Sequence, residues 1–327
     1  MHYFDKDQVI HLLDMQGCIS TMKNTLKEYS AGNTVQVLRT AMSIAPKKIL
    51  GIMPAASMQE GIAGAKIITV FPDNFRRGLP SHQGIVVLFD ADTGSLNALV
   101  DGEAITGIRT AAISAAVTEK MSRSNSHTLC LLGSGLQARR HLEAISLVRE
   151  ITQVRVWDIN ESSVLRFKEE MEQAFCIPVI NCCHDIASAV RGSDIICTVT
   201  AAHEPILLGE HVLPGTHINA VGACGPTNRE LDTALVQKAR FFCDSIESCM
   251  NEAGDFLIPL HNSEICEEHL LGEVGAVFSG NLEGRISDND ITIFEAQGLA
   301  VEDLAAANYI LKKYYEKEDT CHDRAIV

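Results

Sequence analysis

The segment Gly133-Ser134-Gly135-Leu136-Gln137-Ala138 constrains this chain more than any other. It follows the apolar run HTLCLL and opens GLQARRHLEAISLVRE, where Leu136, Ala138, Leu142, Ile145 and Val148 recur at three- and four-residue spacing. A G-x-G-x-x-A between a strand and a helix has a defined physical use. The first glycine permits a tight turn, and the second lets backbone approach a pyrophosphate. The small last residue lets the helix pack close on the sheet. Free N–H groups at the helix start would receive the phosphates, with the helix dipole in support. The next apolar run, QVRVWD, ends at Asp158, 25 residues after Gly133 and near where an acid meets a ribose 2′-hydroxyl. An acid there is also an ordinary solvated strand end, but strand, glycines, helix and acid in register predict dinucleotide binding. Asp158 repels a 2′-phosphate, so NAD is the expected cofactor, and Arg139 and Arg155 leave NADP open.

The same alternation continues to about residue 245: a polar helix around Ser162–Ala174, IPVINC, a short helix around Ile186–Arg191, then DIICTVT, HINAVGA and ARFFCDS. Short apolar strands between helices, without hairpin signals, predict a parallel sheet covered on both faces. The first 120 residues differ. KKILGIMPAASM, GIAGAKIITVFP and QGIVVLFDADTGSLNALVDG predict consecutive strands, with a hairpin turn at Asp92-Thr93-Gly94-Ser95. EAITGIRTAAISAAVTEKM is expected to be a helix carrying the chain across, and GLAVEDLAAANYILKKYYEKE a helix packing back on the first part. The expected fold is α/β: a Rossmann-type doubly wound domain over 121–299, and an α+β domain from 1–120 with 300–327.

Charge excludes some partners. With 27 Lys+Arg against 42 Asp+Glu in 327 residues the net charge is −15, unsuited to a polyanion such as nucleic acid. No apolar run approaches the roughly 18–20 residues of a membrane span, and Asp5, Asp7 and Asp14 interrupt the apolar stretch that a signal peptide would need. A cytoplasmic protein is expected. The eleven cysteines are odd in number, form no C-x-x-C pair and sit mostly in apolar runs, so they read as reduced, small hydrophobic residues. Cys224 is the exception worth following. The twelve histidines are scattered, and no metal site is expected.

Two cations stand in apolar surroundings, Lys66 in GIAGAKIITV and Arg109 in AITGIRTAAISAA. Such residues are rarely buried without a partner. Either they pair with carboxylates of the protein or they await an anionic ligand, for which arginine offers a bidentate fork.

GLPSHQGIVVLFDADTGSLNALVDGEAITGIRTAAISA, LLGSGLQARRH, HINAVGACGPTNRELD and ITIFEAQGLAVEDLAAA, in that order, resemble the ornithine cyclodeaminase/mu-crystallin family over about residues 2–315. The resemblance implies a homodimer with a substrate and dimerisation domain beside a Rossmann domain. It implies that Arg39, Lys66 and Arg109 hold a substrate carboxylate; Arg39 by itself, in QVLRTAMS, reads as a surface residue. Ser81 and His82 would lie near the nicotinamide, His82 on the substrate side. Gly133, Ser134, Gly135, Leu136, Gln137, Asp158, Thr198, Thr200, Val221 and Gly222 would bind the cofactor.

The departures bear on activity. Cyclodeaminases carry an aspartate after VGA, where this chain has Cys224, and an acid shortly before the Met-Pro pair, where Thr40–Pro54 has none. Expelling ammonia and closing a ring needs such acid/base groups. Cys224 is expected to line the pocket, unless nearby cations lower its thiol pKa. Gln297, in FEAQGLA, replaces the commoner F-x-S-x-G-x-A and is expected near the substrate. The expected function is therefore an NAD(P)-dependent reductase of a small ketimine such as pyrroline-2-carboxylate or piperideine-2-carboxylate, or an amino-acid dehydrogenase in reverse. Lys66 and Arg109 would be the catalytic residues. The alternatives are ornithine cyclodeaminase, a related opine- or siderophore-precursor dehydrogenase, and a cofactor-gated binding protein.

Overall fold

The computed structural model describes residues 1–175 and 180–324, and the side chains of these except 75, 76 and 319–324. It divides into two compact units, Met1–Thr110 with Leu299–Val327, and Ala111–Gly298. The division falls inside the helix Gly102–Met121, after Thr110.

The first unit holds a seven-stranded sheet of β1 (His2–Phe4), β2 (Thr34–Gln36), β3 (Thr40–Ala45), β4 (Lys48–Ser57), β5 (Ile62–Val70), β6 (His82–Asp90) and β7 (Leu96–Asp101). Its order is β1-β7-β6-β5-β4-β2, with β3 paired to β4, and all pairings but β1–β7 are antiparallel. Asp92–Ser95 lies in the β6–β7 turn, where Asp90 accepts hydrogen bonds from the Thr93 amide and hydroxyl. The pleat sorts side chains to two faces. Met53, Lys66 and Val86 align across β4, β5 and β6 on the buried face. That face is covered by the helix Ala300–Arg324, which also packs on the helix Met15–Ser30. Sequence reading anticipated the first helix but not the second. On the opposite face Ile52 and Ile67 face each other and stay 40% and 37% exposed.

The second unit holds eight parallel strands: β8 (Thr128–Leu132), β9 (Gln153–Trp157), β10 (Ile180–Cys182), β11 (Ile195–Thr198), β12 (His217–Ala220), β13 (Arg240–Cys243), β14 (Leu270–Glu273) and β15 (Thr292–Glu295). The order β10-β9-β8-β11-β12-β15-β13-β14 reverses direction between β8 and β11. Every residue of β11, β12 and β15 is buried, as two-sided helical cover requires. The anticipated strand IPVINC begins in residues outside those described and continues as β10. β15, inserted between β12 and β13, was not anticipated; it follows the polar run EGRISDND rather than a helix of the alternating pattern. Among the described residues no helix is long and apolar enough to cross a membrane.

Asp194 ties three strand starts together. Its carboxylate accepts the His127 and Thr128 amides at 2.8 and 3.0 Å and the Arg123 guanidinium at 2.6 Å, while its carbonyl accepts from His217. Asp194→Ala leaves those donors at the start of β8 without their charged acceptor. The expected cost is about 1.5–3 kcal/mol, read as a lower urea midpoint at unchanged slope; an unmoved midpoint would show that water replaces the carboxylate.

Candidate active site

In the second unit the glycine loop follows β8. Gly133 has φ +107°, and a Cβ there would meet the Val199 carbonyl at 2.8 Å, so backbone just past β11 closes off any larger residue. Gly135 is the N-cap of the eleven-residue helix Leu136–Ser146 and offers no side-chain cap. Beyond its own chain neighbours, a Cβ built on Gly135 would meet nothing within 4 Å. A helix start with uncapped N–H groups and open space over its cap residue fits a phosphate group, and the first turn carries Leu136 and Gln137.

Asp158, just past β9, accepts from the Ser134 amide and hydroxyl, both at 2.8 Å, and from the Asn160 amide at 2.9 Å. The acid and the loop are thus one hydrogen-bonded unit. Arg139 is held by Glu170 at 2.6 Å, by the Ser134 and Gly135 carbonyls, and over the Phe167 ring at 5.5 Å. Arg155 donates to the Arg191 carbonyl and the Gln153 side chain. Both arginines therefore have acceptors from the protein itself.

Across the reversal in strand order, Thr198 ends β11 and Val221 and Gly222 follow β12, both donating their amides to the Thr198 carbonyl at 3.1 Å. Thr200 stands two residues beyond Thr198 and bonds to the buried Glu230. Cys224 is exposed, two residues past Gly222. Gln297 is 3% exposed and donates to Glu295 at 2.7 Å, so its amide is engaged beside a buried acid whose pKa burial pushes well up.

The first unit gathers the cations. Lys66 and Arg109 are 2% and 5% exposed. The Lys66 ammonium lies 2.6 Å from Asp303, and Arg109 reaches Asp303 through Nε at 3.0 Å and Glu302 through Nη1 at 2.8 Å. β5 brings Lys66, the helix Gly102–Met121 brings Arg109, and the C-terminal helix brings both acids. Burial pulls the Lys66 pKa down to about 8, against the pull of Asp303 and helped by the positive charges of Arg109 and Arg39. For Asp303, burial acts upward, but Arg109 and Lys66 outweigh it and hold the pKa below the usual carboxylate value. The charge of Lys66 also reaches His82, whose Nδ1 lies 2.9 Å from the Ser81 hydroxyl. Within the buried cluster the two cations, Lys66 and Arg109, stand against two acids, Glu302 and Asp303.

Of the residues anticipated from sequence, Arg39, Lys66, Ser81, His82 and Arg109 fall in the first unit. The glycine loop, Asp158, Thr198, Thr200, Val221, Gly222, Cys224 and Gln297 fall in the second. Lys66 and Arg109 do pair with carboxylates of the protein, the first of the two outcomes open from sequence. Glu302 and Asp303 were not singled out, although two adjacent acids within the Ala-rich GLAVEDLAAA were the available signal. Glu230, in the polar run TNRELD, gave no signal of burial, and Asp255 none beyond the apolar FLIPL that follows it. Among the described residues there is no group of three or more His, Cys, Asp or Glu able to hold a metal ion.

The model of the ornithine cyclodeaminase/mu-crystallin family matches residues 4–318. The chain is 37% identical over 304 residues to ketimine reductase mu-crystallin of Mus musculus, covering 92% of this chain and 93% of that one. It superimposes on the Thermococcus litoralis Delta(1)-pyrroline-2-carboxylate reductase, solved with NADH and L-proline, with TM-score 0.94 and 32% identity, over 97% and 98% of the two chains. An archaeal alanine dehydrogenase dimer with bound NAD gives TM-score 0.90 and 29% identity, over 97% and 96%. The family match over nearly the whole chain and the likeness to relatives of the same length lead to one conclusion: the chain belongs to the ornithine cyclodeaminase/mu-crystallin family.

Proposed function

We propose that this chain is an NAD(P)H-dependent oxidoreductase that reduces the C=N bond of a small α-imino acid, and in reverse oxidises the corresponding amino acid. The observation that carries the reading is the Lys66 ammonium, buried against Asp303 beside Arg109 and drawn down to a pKa of about 8, where it can serve as a proton donor. The relatives named as ketimine and pyrroline-2-carboxylate reductases support the reaction class. Cys224 in place of the cyclodeaminase aspartate speaks against deamination of ornithine.

Once bound, the cofactor's nicotinamide would supply the hydride, and its pyrophosphate would be held by the glycine loop and the N-terminus of the helix Leu136–Ser146. Asp158 beside that loop, with Arg139 and Arg155 both turned to protein acceptors, favours NAD over NADP. Arg39 and Arg109 would orient the substrate carboxylate, with Arg109 fixed by its two acids. Lys66 would give a proton at the imine nitrogen, where negative charge develops as the carbon is reduced. An ammonium with a pKa near 8 can donate at neutral pH, which an ordinary lysine does poorly. Ser81 and His82 would lie at the nicotinamide end, and Cys224 and Gln297 would shape the substrate side.

We further propose a cytoplasmic homodimer. The sheet face opposite the helices carries Met42, Ile44, Ile52 and Ile67, between 37% and 55% exposed, and a contiguous apolar face of this kind marks an interface. The division of labour is a Rossmann domain for the cofactor and an α+β domain for substrate and dimerisation.

Adding pyrroline-2-carboxylate or piperideine-2-carboxylate to the protein with NADH, then NADPH, should consume reduced-nicotinamide absorbance stoichiometrically. Silence there, with ammonia released from ornithine in the presence of NAD, would overturn the reductase reading. Lys66→Met is expected to lower turnover about 10²–10⁴-fold while NADH still binds, measured by fluorescence; retained turnover removes Lys66 from the chemistry. Because Lys66 loses its proton as pH rises through about 8, kcat/KM for imine reduction should fall above that pH. Asp303 raises the Lys66 pKa, so Asp303→Asn should move the falling limb to lower pH, and a limb that stays put would refute the assignment.

A further inference from the structure

Several polar groups converge on one buried residue, Glu230, in the segment between β12 and the helix Thr233–Lys238. Its side chain bridges the loops that follow β11 and β12. Oε1 accepts from the Thr200 amide at 2.8 Å and the Thr200 hydroxyl at 2.5 Å, and Oε2 accepts from the Gly222 amide at 2.9 Å. Its backbone is fixed as well. The Glu230 carbonyl accepts from Ile206 and Leu207, both at 2.8 Å. The Glu230 and Leu231 amides donate to the buried Asp255 at 3.0 and 2.7 Å. Glu230 is fully buried, so none of these bonds competes with bulk water.

We infer that Glu230 is the positioning residue that sets the two loops on which the nicotinamide half of the cofactor would lie. The inference rests on the dinucleotide reading. In a doubly wound sheet the ligand lies across the carboxyl ends of the strands where their order reverses. Here the acid Asp158 at the end of β9 and the glycine loop after β8 occupy one side of that point. The other half of a dinucleotide must therefore extend over the ends of β11 and β12, the two that Glu230 joins. A Cβ on Gly222 would strike the Thr200 carbonyl and approach the Thr200 nitrogen at 2.6 Å and Glu230 Oε1 at 2.7 Å, so the loops touch at backbone distance. Their relative height is then fixed by the carboxylate between them.

A carboxylate suits this place for a specific reason: three donors point inward from two directions, and both oxygens must accept. Burial raises the pKa of Glu230 against the pull of the Thr200 and Gly222 donors. Glutamine has the same shape but only one accepting atom. In Glu230→Gln either the two Thr200 donors or the Gly222 amide, which then keeps only the Thr198 carbonyl, would face an NH₂ group, and the bridge between the loops is broken on that side.

The test compares two probes that differ in the nicotinamide. NADH binding is followed by fluorescence and ADP-ribose binding by calorimetry, with thermal unfolding as a check on the fold. Glu230→Gln is expected to weaken NADH about tenfold and leave ADP-ribose unchanged. Thr200→Val, which removes one donor and keeps the shape, should weaken NADH a few-fold with the same selectivity, and it serves if Glu230→Gln does not fold. Equal weakening of both probes, or of neither, overturns the inference, because a residue that only stabilises the fold would not distinguish them. A wild-type protein that binds neither probe overturns the dinucleotide reading and the inference together.

Discussion

Lys66, Arg109, Glu302 and Asp303 form one buried ion cluster assembled from three distant parts of the chain. An ammonium or a guanidinium in such a place is tolerated only when its charge is matched, and removing one partner of a buried pair costs about 3–5 kcal/mol. The C-terminal helix therefore has to dock on the N-terminal sheet with Glu302 and Asp303 facing inward. The same demand sets the register of β5, since Lys66 must share its face with Met53 and Val86 beneath that helix. Fold and chemistry coincide here: the packing that buries and neutralises the cluster also lowers the Lys66 pKa.

The second unit solves a different problem, and acids stand at its junctions. Asp158 organises the glycine loop, Glu230 joins the loops after β11 and β12, Asp255 holds the backbone of Glu230, and Asp194 gathers the strand starts at the opposite end. Parallel strands end in backbone N–H groups that their neighbours do not satisfy. A carboxylate can accept several of them at once, so each of these junctions needs one acid rather than several hydroxyls.

The sequence was most legible where structure is local. The glycine loop, the strand before it and the amphipathic helix after it are set by neighbours within about a dozen residues, and the hairpin turn at Asp92–Ser95 likewise. It was least legible where partners are remote. β15 is four residues long and is a strand because β12 and β13 flank it, and the helix Met15–Ser30 is held by Cys18, Ile19, Met22 and Leu26 packing inward from a largely polar stretch. Gln297 illustrates the same limit, because its engagement with Glu295 depends on the loop after β15.

By itself the sequence determined the fold class, the place of the dinucleotide loop, the family, and the fact that Lys66 and Arg109 required anionic company. Each follows from short-range periodicity, from motifs whose spacing is fixed by backbone geometry, or from the cost of an unpaired charge in apolar surroundings. Only the tertiary structure decided that the company is Glu302 and Asp303, nearly 200 residues away from Arg109, and that Glu230 bonds both loops beyond the glycine motif. Pairings at such separations are chosen by how sheets and helices pack, and no local pattern in the chain encodes them.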